Sequence, residues 1–333
     1  MAAGLPLAAA LERGALLTGA NWPVVLIDFA IESLYKLALG VPIVGGAVMV
    51  AVVVGVDLPA VLAGGLWSAA EVVLGSLAGA PLAFAAFVAA AGLVAAGGAV
   101  LMFIVKAGTL AIIADADRRA AELQWPPVRL GAISAASADA LPRLLEQTRR
   151  FARRAAALAL GLCAAYLAIA LGYAGVVALG FSAASDSALA ALWPLVVVAG
   201  AMAAVVAVAG VNLVYDLVRV AIVTDDCGVL AAAQRVRRFV LADARHVLGI
   251  FAVMTAAQTV AAVAGLTLAA GLTTVAFVPF AGLAVLPLQL TAWLVRGLLF
   301  QSLTFTALAA YLTQYRRFRE PPRQAAPFRK QQA

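Results

Sequence analysis

Charged residues are scarce in this sequence. Only 12% of its 333 residues are Asp, Glu, Lys or Arg, and 65% are hydrophobic. Soluble domains contain about 25% charged residues, which they need to cover a buried core. With a mean hydropathy of +1.05, the composition excludes an ordinary soluble domain and indicates a membrane protein.

Cysteine and histidine are also scarce. The chain has two Cys and one His, which cannot supply a four-ligand Cys/His zinc site. Cys163 lies in an apolar stretch and Cys227 in a polar one, so a disulfide between them is not expected. The sequence contains no Walker A, HExxH, GxSxG, CxxC or EF-hand pattern. We therefore predict no metal, no cofactor and no catalytic residue.

Basic residues are few, but they are grouped. Eighteen of the 23 Lys and Arg residues lie in three clusters. These clusters are Arg118 to Arg154, Arg235 to Arg245 and Arg316 to Lys330. The apolar stretches between them, 37–113, 155–223 and 247–315, have no Lys or Arg near their midpoints. Since about 20 residues cross the ~30 Å hydrocarbon core, each stretch is long enough to cross a bilayer and return.

This alternation predicts an all-α, polytopic integral membrane bundle of about six transmembrane helices in three hairpins. The apolar stretches are rich in Ala, Val, Leu and Gly without polar alternation, which favours helices over barrel strands. The predicted spans are 37–56, 82–105, 156–180, 191–214, 247–270 and 284–308. The predicted domains are an interfacial segment 1–36, a transmembrane domain 37–315 with linkers 114–154 and 224–246, and a basic tail 316–333.

The distribution of basic residues also predicts orientation. Residues 114–154 carry eight Arg, 224–246 carry four, and the tail 316–333 carries six basic residues. The loops on the other side contain acids but no Lys or Arg. By the positive-inside rule, both linkers and both termini face the cytoplasm, and the chain is a multi-pass protein of a bacterial cytoplasmic (inner) membrane.

The net charge of +7 is interpreted as contact with anionic lipid head groups, not with nucleic acid. An Arg-Arg-Phe triplet occurs once in each basic cluster, ending at Phe151, Phe239 and Phe318. In each triplet we expect Arg to reach lipid phosphates and Phe to pack against acyl chains or a neighbouring helix. The candidate head-group contacts are Arg149, Arg150, Arg237, Arg238, Arg316 and Arg317. Other membrane proteins, or a second copy, are further candidate partners.

Two stretches do not fit a simple count of spans. Within segment 1–36, Asp28, Glu32 and Lys36 lie at i, i+4 and i+8, which places them on one side of a helix. We interpret residues 22–35 as an amphipathic helix in the cytoplasmic interface, ahead of the first span. Residues 60–79 are apolar except for one Glu and are interpreted as interfacial or re-entrant, with a full span as the alternative.

Two predicted spans end in similar sequences. The second predicted span is followed by Asp115 and Asp117, and the fourth by Asp225 and Asp226. We call these two acidic stretches the exits of the spans, and a basic segment follows each. This similarity suggests repeated hairpins. We interpret Asp225 and Asp226 as caps of the next helix, because acids there can accept hydrogen bonds from free backbone amides.

The second exit resembles a known pattern. The segment 217–239 reads LVRVAIVTDDCGVLAAAQRVRRF, in which an aliphatic-acidic exit is followed by Gly and a basic helix. It is similar to bacterial six-helix proteins of the YciC-like type and to the membrane domain attached to some glycerophosphodiester phosphodiesterases. The resemblance implies an accessory membrane protein. It implies no hydrolase activity, because no phosphodiesterase domain is present.

Ionisable residues inside apolar spans are candidate functional residues. Arg296 is the first candidate, because it lies in the most polar predicted span. Asp216 and Arg219, which can pair at i, i+3, and Lys106 follow. For Arg296 the functional interpretation is a gate, or an anion or lipid-phosphate contact inside the bundle, and the structural alternative is an ion pair with Asp216 or Asp28.

Three functions are compatible with these patterns. The first is a non-enzymatic membrane protein that acts as a scaffold, an assembly factor or a subunit of a membrane complex. The second is a transporter or lipid translocator with a polar site around Arg296. The third is a membrane-embedded lipid-modifying enzyme, with the paired acids of the two exits as metal ligands.

Overall fold

The computed structural model describes residues 6–53, 81–120, 140–184, 192–276 and 281–319. All regular structure in these ranges is helical, which confirms the predicted all-α class. Seven helices follow one another along the described chain. They are α1 (Leu7–Ala20), α2 (Trp22–Val53), α3 (Pro81–Ala120), α4 (Ala140–Ala184), α5 (Trp193–Asp225), α6 (Val229–Ala276) and α7 (Ala281–Arg319).

Five of these helices, α3 to α7, are long and apolar enough to cross a membrane. Helices α1 and α2 meet at a bend of 77° and pass the same test only as a pair, which would raise the number to six. The multi-pass prediction is therefore confirmed, with five or six spans. The stretch 60–79 lies outside the described residues.

The helices continue beyond the predicted spans at their basic ends. The predicted fourth span, 191–214, ends well before the last residue of α5, Asp225. Likewise, α7 continues to Arg319 and includes the start of the predicted tail 316–333. For α5 the reason is packing. Residues 217–223, which follow the predicted span, are buried inside the protein, and this burial stabilises the helix although several of them are β-branched.

The chain divides into two compact units, a larger one of Met1–Phe29 with Ile104–Ala333 and a smaller one of Ala30–Phe103. In the smaller unit, the Tyr35 hydroxyl of α2 donates a hydrogen bond to the carbonyl oxygen of Ala95 on α3, at 3.2 Å. Lys36 pairs with Glu32 one turn away, at 2.7 Å. Helices α2 and α3 are therefore in contact just before the first predicted span.

The amphipathic helix predicted over residues 22–35 lies within α2, which begins at Trp22. Asn21 separates α1 from α2, and both Leu17 and Asp28 are fully buried in the larger unit. Helix α1 packs on α7. The i, i+4 spacing correctly relates Glu32 to Lys36, but it cannot predict that Asp28 is covered by other helices.

Buried residues lie towards the basic ends of the helices. Among the described residues, the last buried residue of α4 is Leu162 and the first of α5 is Leu217. The last of α6 is Met254 and the first of α7 is Gln301. The larger unit thus has a well-packed part next to its basic residues, which we call the packed base.

The most apolar segments are covered much less. In the most apolar window of α5, 0% of the residues are buried inside the protein, and in the other four spanning helices at most 22% are. Neighbouring helices still contact each other in these segments: Tyr166 of α4 bonds Asn212 of α5, and Gln258 of α6 bonds Thr304 of α7 at 3.5 Å. Most of the span surface is nevertheless available to lipid or to other helices.

Helix α6 is interrupted at Asp243, whose φ of −137° and ψ of 39° are not helical. The break separates a segment that contains Arg235, Arg237 and Arg238 from the apolar part of α6. It lies close to the start of the predicted fifth span, 247–270. Three of the four Arg residues of this cluster therefore precede the kink, whereas Arg245 and the predicted span follow it.

Candidate functional site

Asp117, near the C-terminal end of α3, connects three helices. The Asp117 side chain is only 2% exposed. Its Oδ1 accepts a hydrogen bond from Nε of Arg13 on α1 at 2.8 Å, and its Oδ2 lies 2.6 Å from Nη1 of Arg316 on α7. One buried carboxylate is thus compensated by two guanidinium groups from helices that are distant in sequence, as burial of a charge requires.

Asp225, at the end of α5, makes a similar connection. Its Oδ2 accepts hydrogen bonds from Nη1 of Arg235 on α6 and from the hydroxyl of Tyr315 on α7, both at 2.7 Å. Its Oδ1 lies 3.3 Å from Nε of Arg319. This carboxylate therefore links α5, α6 and α7.

Asp226 follows directly in the left-handed conformation, with φ 48°, and ends α5. Its Oδ2 lies 2.6 Å from Nη2 of Arg150 on α4, and its Oδ1 accepts a hydrogen bond from Arg154. The hydrogen bonds from these two Arg side chains hold the pKa of Asp226 below its usual range. The contacts of Asp225 and Asp226 described above are with Arg and Tyr side chains, and the predicted capping role of these two acids stays a prediction.

We call these three carboxylates and their Arg partners the ion-pair set. Two candidate head-group residues, Arg150 and Arg316, belong to it, so their guanidinium groups contact protein carboxylates. The other four candidates are exposed. They are Arg149, Arg237, Arg238 and Arg317.

The Phe residues of the Arg-Arg-Phe triplets pack mainly inside the protein. Phe151 and Phe239 are buried. The Phe239 ring meets the Tyr315 ring edge-on, with centroids 5.5 Å apart, and lies 5.4 Å from the Phe318 ring. Of the two predicted roles, packing against a neighbouring helix is the one observed. The repeated triplet therefore marks places where basic helical ends join the core.

The described residues do not contain a group of three or more His, Cys, Asp and Glu side chains that could hold a metal ion. The oxygens of Asp117 and Asp225 face guanidinium groups of the ion-pair set. Cys163 and Cys227 are free thiols. Burial raises the pKa of Cys227, with Arg235 acting in the opposite direction, and a raised pKa lowers the thiolate fraction at neutral pH.

A second buried polar group lies around Asp28. Its Oδ1 is 3.2 Å from Oγ1 of Thr109 on α3, and its Oδ2 accepts a hydrogen bond from the amide of Gln301 on α7. All three residues are buried. Asp28 was identified from the sequence, whereas Thr109 was not, because a single Thr in an apolar helix carries no distinctive pattern.

The four predicted intramembrane candidates are distributed over α3, α5 and α7. Asp216 pairs with Arg219 on the same turn of α5, as the i, i+3 spacing predicts. Lys106 lies on α3, partly buried. Arg296 lies on α7, and within the described part of the chain it pairs with neither Asp216 nor Asp28. Its guanidinium carbon is instead 5.7 Å from the centroid of the Phe300 ring.

No known protein family, curated protein or solved structure matches the chain. The resemblance to YciC-like proteins therefore stays a prediction. The features of the protein that bear on its function are the packed base, the ion-pair set and the exposed spans.

The lowered pKa of Asp226 predicts an acid-sensitive contribution to stability. A carboxylate with a depressed folded-state pKa stabilises the fold above its unfolded value of about 3.9, and this contribution is lost as the pH falls through the lower folded value. We expect a small effect, because the Asp226 side chain is 46% exposed. Thermal unfolding in detergent between neutral pH and pH 3 should show a steeper loss for the natural chain than for Asp226→Asn. A double variant, Arg150→Gln with Arg154→Gln, should remove the same difference, and an unchanged pH profile in both would contradict the assignment.

Proposed function

We propose that this chain is a non-enzymatic protein of a bacterial cytoplasmic membrane that acts as a scaffold or a subunit of a membrane complex. The observation that carries the proposal is the contrast between the packed base and the spans. The base is closed by buried ion pairs, whereas at most 22% of the most apolar window of each span is buried by the protein itself.

The exposed span residues are suited to contact with other helices. Val206 of α5 is 67% exposed and Val260 of α6 is 68% exposed. Exposure of apolar groups to lipid costs little, so association in a membrane depends on close packing and polar contacts between helices. Helix α5 offers small and branched side chains for such packing, together with the exposed Asn212 beside Tyr166.

The orientation belongs to the same proposal. Exposed basic side chains, among them Arg149, Arg237 and Arg238, lie on the helical segments that also contribute to the ion-pair set. The positive-inside rule supports a cytoplasmic position for these segments. In that orientation, anionic lipid head groups would contact the exposed Arg residues, and partner helices would contact the spans.

Photo-crosslinking in intact membranes tests the proposal. A photoreactive residue at position 206 or 260 should form a protein adduct of one defined mass, which persists through purification in mild detergent. The same probe in place of Val220, which is fully buried, is the control and should form no such adduct. An adduct of twice the chain's mass would identify a second copy as the partner. Adducts with lipid alone at both exposed positions would contradict the proposal.

A further inference from the structure

Arg296 lies in an apolar helix without a protein counter-charge among the described residues. It is partly buried on α7, whose segment Pro287–Arg319 is long and apolar enough to cross a membrane. A guanidinium group stays protonated at any physiological pH. Since a charge in hydrocarbon is costly, such residues almost always contact a counter-charge, a polar group or water.

The side chain of Arg296 is held in place by the neighbouring helix. Gly265 of α6 lies directly against it: a β-carbon at position 265 would be 2.8 Å from Cδ of Arg296 and 3.1 Å from Nε. The absence of a side chain at Gly265 therefore makes the space that the stem of Arg296 occupies. The guanidinium end also lies near the Phe300 ring, a weak cation–π contact that does not neutralise its charge.

The two acids that sequence reasoning offered as partners are engaged elsewhere. Asp28 bonds Thr109 and Gln301, and Asp216 pairs with Arg219. Within the described ranges, no carboxylate forms an ion pair with Arg296. An anion that neutralises Arg296 therefore has to come from outside this part of the chain.

We propose that Arg296 binds the phosphate group of a membrane phospholipid. A planar guanidinium group can donate two parallel hydrogen bonds to a phosphate. A charged side chain in a span also draws head groups and water towards it by thinning the bilayer locally. Phospholipid phosphate is the anion that every span surface meets in the membrane, so the site requires no additional protein.

The sequence of α7 provides suitable neighbours for such a lipid. Gln289, Trp293, Arg296 and Phe300 follow one another at i, i+4, i+7 and i+11, so they lie on one side of the helix. Trp293 is 44% exposed, and its indole ring suits a position between acyl chains and polar groups. This lipid site goes beyond the proposed scaffold function and does not depend on it.

Native mass spectrometry of the full chain in detergent tests the lipid site. After delipidation, the protein is offered phosphatidylglycerol, diacylglycerol with the same acyl chains, or inorganic phosphate. We expect selective retention of phosphatidylglycerol, with affinity reduced about tenfold or more in Arg296→Gln, because a charge-assisted, bidentate contact is lost. Binding of inorganic phosphate at similar strength would show that the site takes a free anion and would overturn the lipid assignment.

Two further variants separate the site from general effects of charge or folding. Gly265→Val keeps the charge of Arg296 but fills the space of its stem, so it should also weaken retention. Arg245→Gln removes one of several exposed basic residues from the base and should reduce retention far less than Arg296→Gln does. Thermal unfolding identifies any variant that fails to fold. Equal retention by the natural chain, Arg296→Gln and Gly265→Val would overturn the proposal. The same result is expected if a protein carboxylate supplies the counter-charge of Arg296, so this alternative is tested as well.

Discussion

Replacement of Gly14 by alanine is expected to destabilise the packed base strongly, although only one methyl group is added. In α1, a β-carbon at position 14 would lie 2.6 Å from the carbonyl oxygen of Thr306 and 3.0 Å from the backbone nitrogen of Ala310. Both atoms belong to the backbone of α7, so no side-chain rotation relieves the overlap. We expect a cost of about 1–3 kcal/mol for Gly14→Ala, and more for Gly14→Val.

The same helix supplies the control. Gly19 has no atom within 4 Å of the position that its β-carbon would take. Gly19→Ala should therefore leave the melting temperature in detergent unchanged or raise it, because alanine favours a helix over glycine by about 1 kcal/mol. If Gly14→Ala melts at the same temperature as Gly19→Ala, the close approach of α1 and α7 is wrong.

Removal of the Asp117 carboxylate is the second change with a large expected effect. Asp117→Ala would leave Arg13 and Arg316, both with side chains only 18% exposed, without their shared anion. Loss of one partner from a buried ion pair costs about 3–5 kcal/mol, because the remaining charge stays poorly solvated. Thermal unfolding in detergent, or protease resistance of the detergent-solubilised chain, would measure the loss.

Asp115 is a matched control, because it precedes Asp117 by two residues on the same helix. Its side chain is 53% exposed and pairs with Arg118 and Arg119 of α3 itself. Exposed pairs of this kind contribute about 0–1 kcal/mol, so Asp115→Ala should be nearly neutral. Similar destabilisation by both substitutions would mean that Asp117 does not connect α1, α3 and α7 as described.

The sequence was sufficient to predict the class of the fold. Hydropathy alone identifies helices α3 to α7 as candidate spans, because their apolar windows are long and contain few charges. The ends of the helices could not be predicted in the same way. Apolar, buried residues of α5 continue from Leu217 to Val223, interrupted by Arg219, beyond the predicted end of the span at 214.

Prediction of the candidate sites succeeded where the partners are close in sequence. The Asp216–Arg219 pair follows from i, i+3 spacing. Asp117 and Arg13 are 104 positions apart, and no local pattern connects them. For Arg296, the sequence identified an unusual intramembrane charge, but its contact with Gly265 depends on which faces of α6 and α7 meet.

The order in which the chain is synthesised determines when the ion-pair set can be completed. Asp117 and Asp225 are synthesised before the residues near the end of α7 that neutralise them, Arg316 and Arg319. Until α7 is in place, a newly made chain keeps two carboxylates only partly compensated at the edge of the membrane. Addition of the last helix therefore completes the base, and a chain that lacks the end of α7 carries less positive charge around these two carboxylates than a finished one.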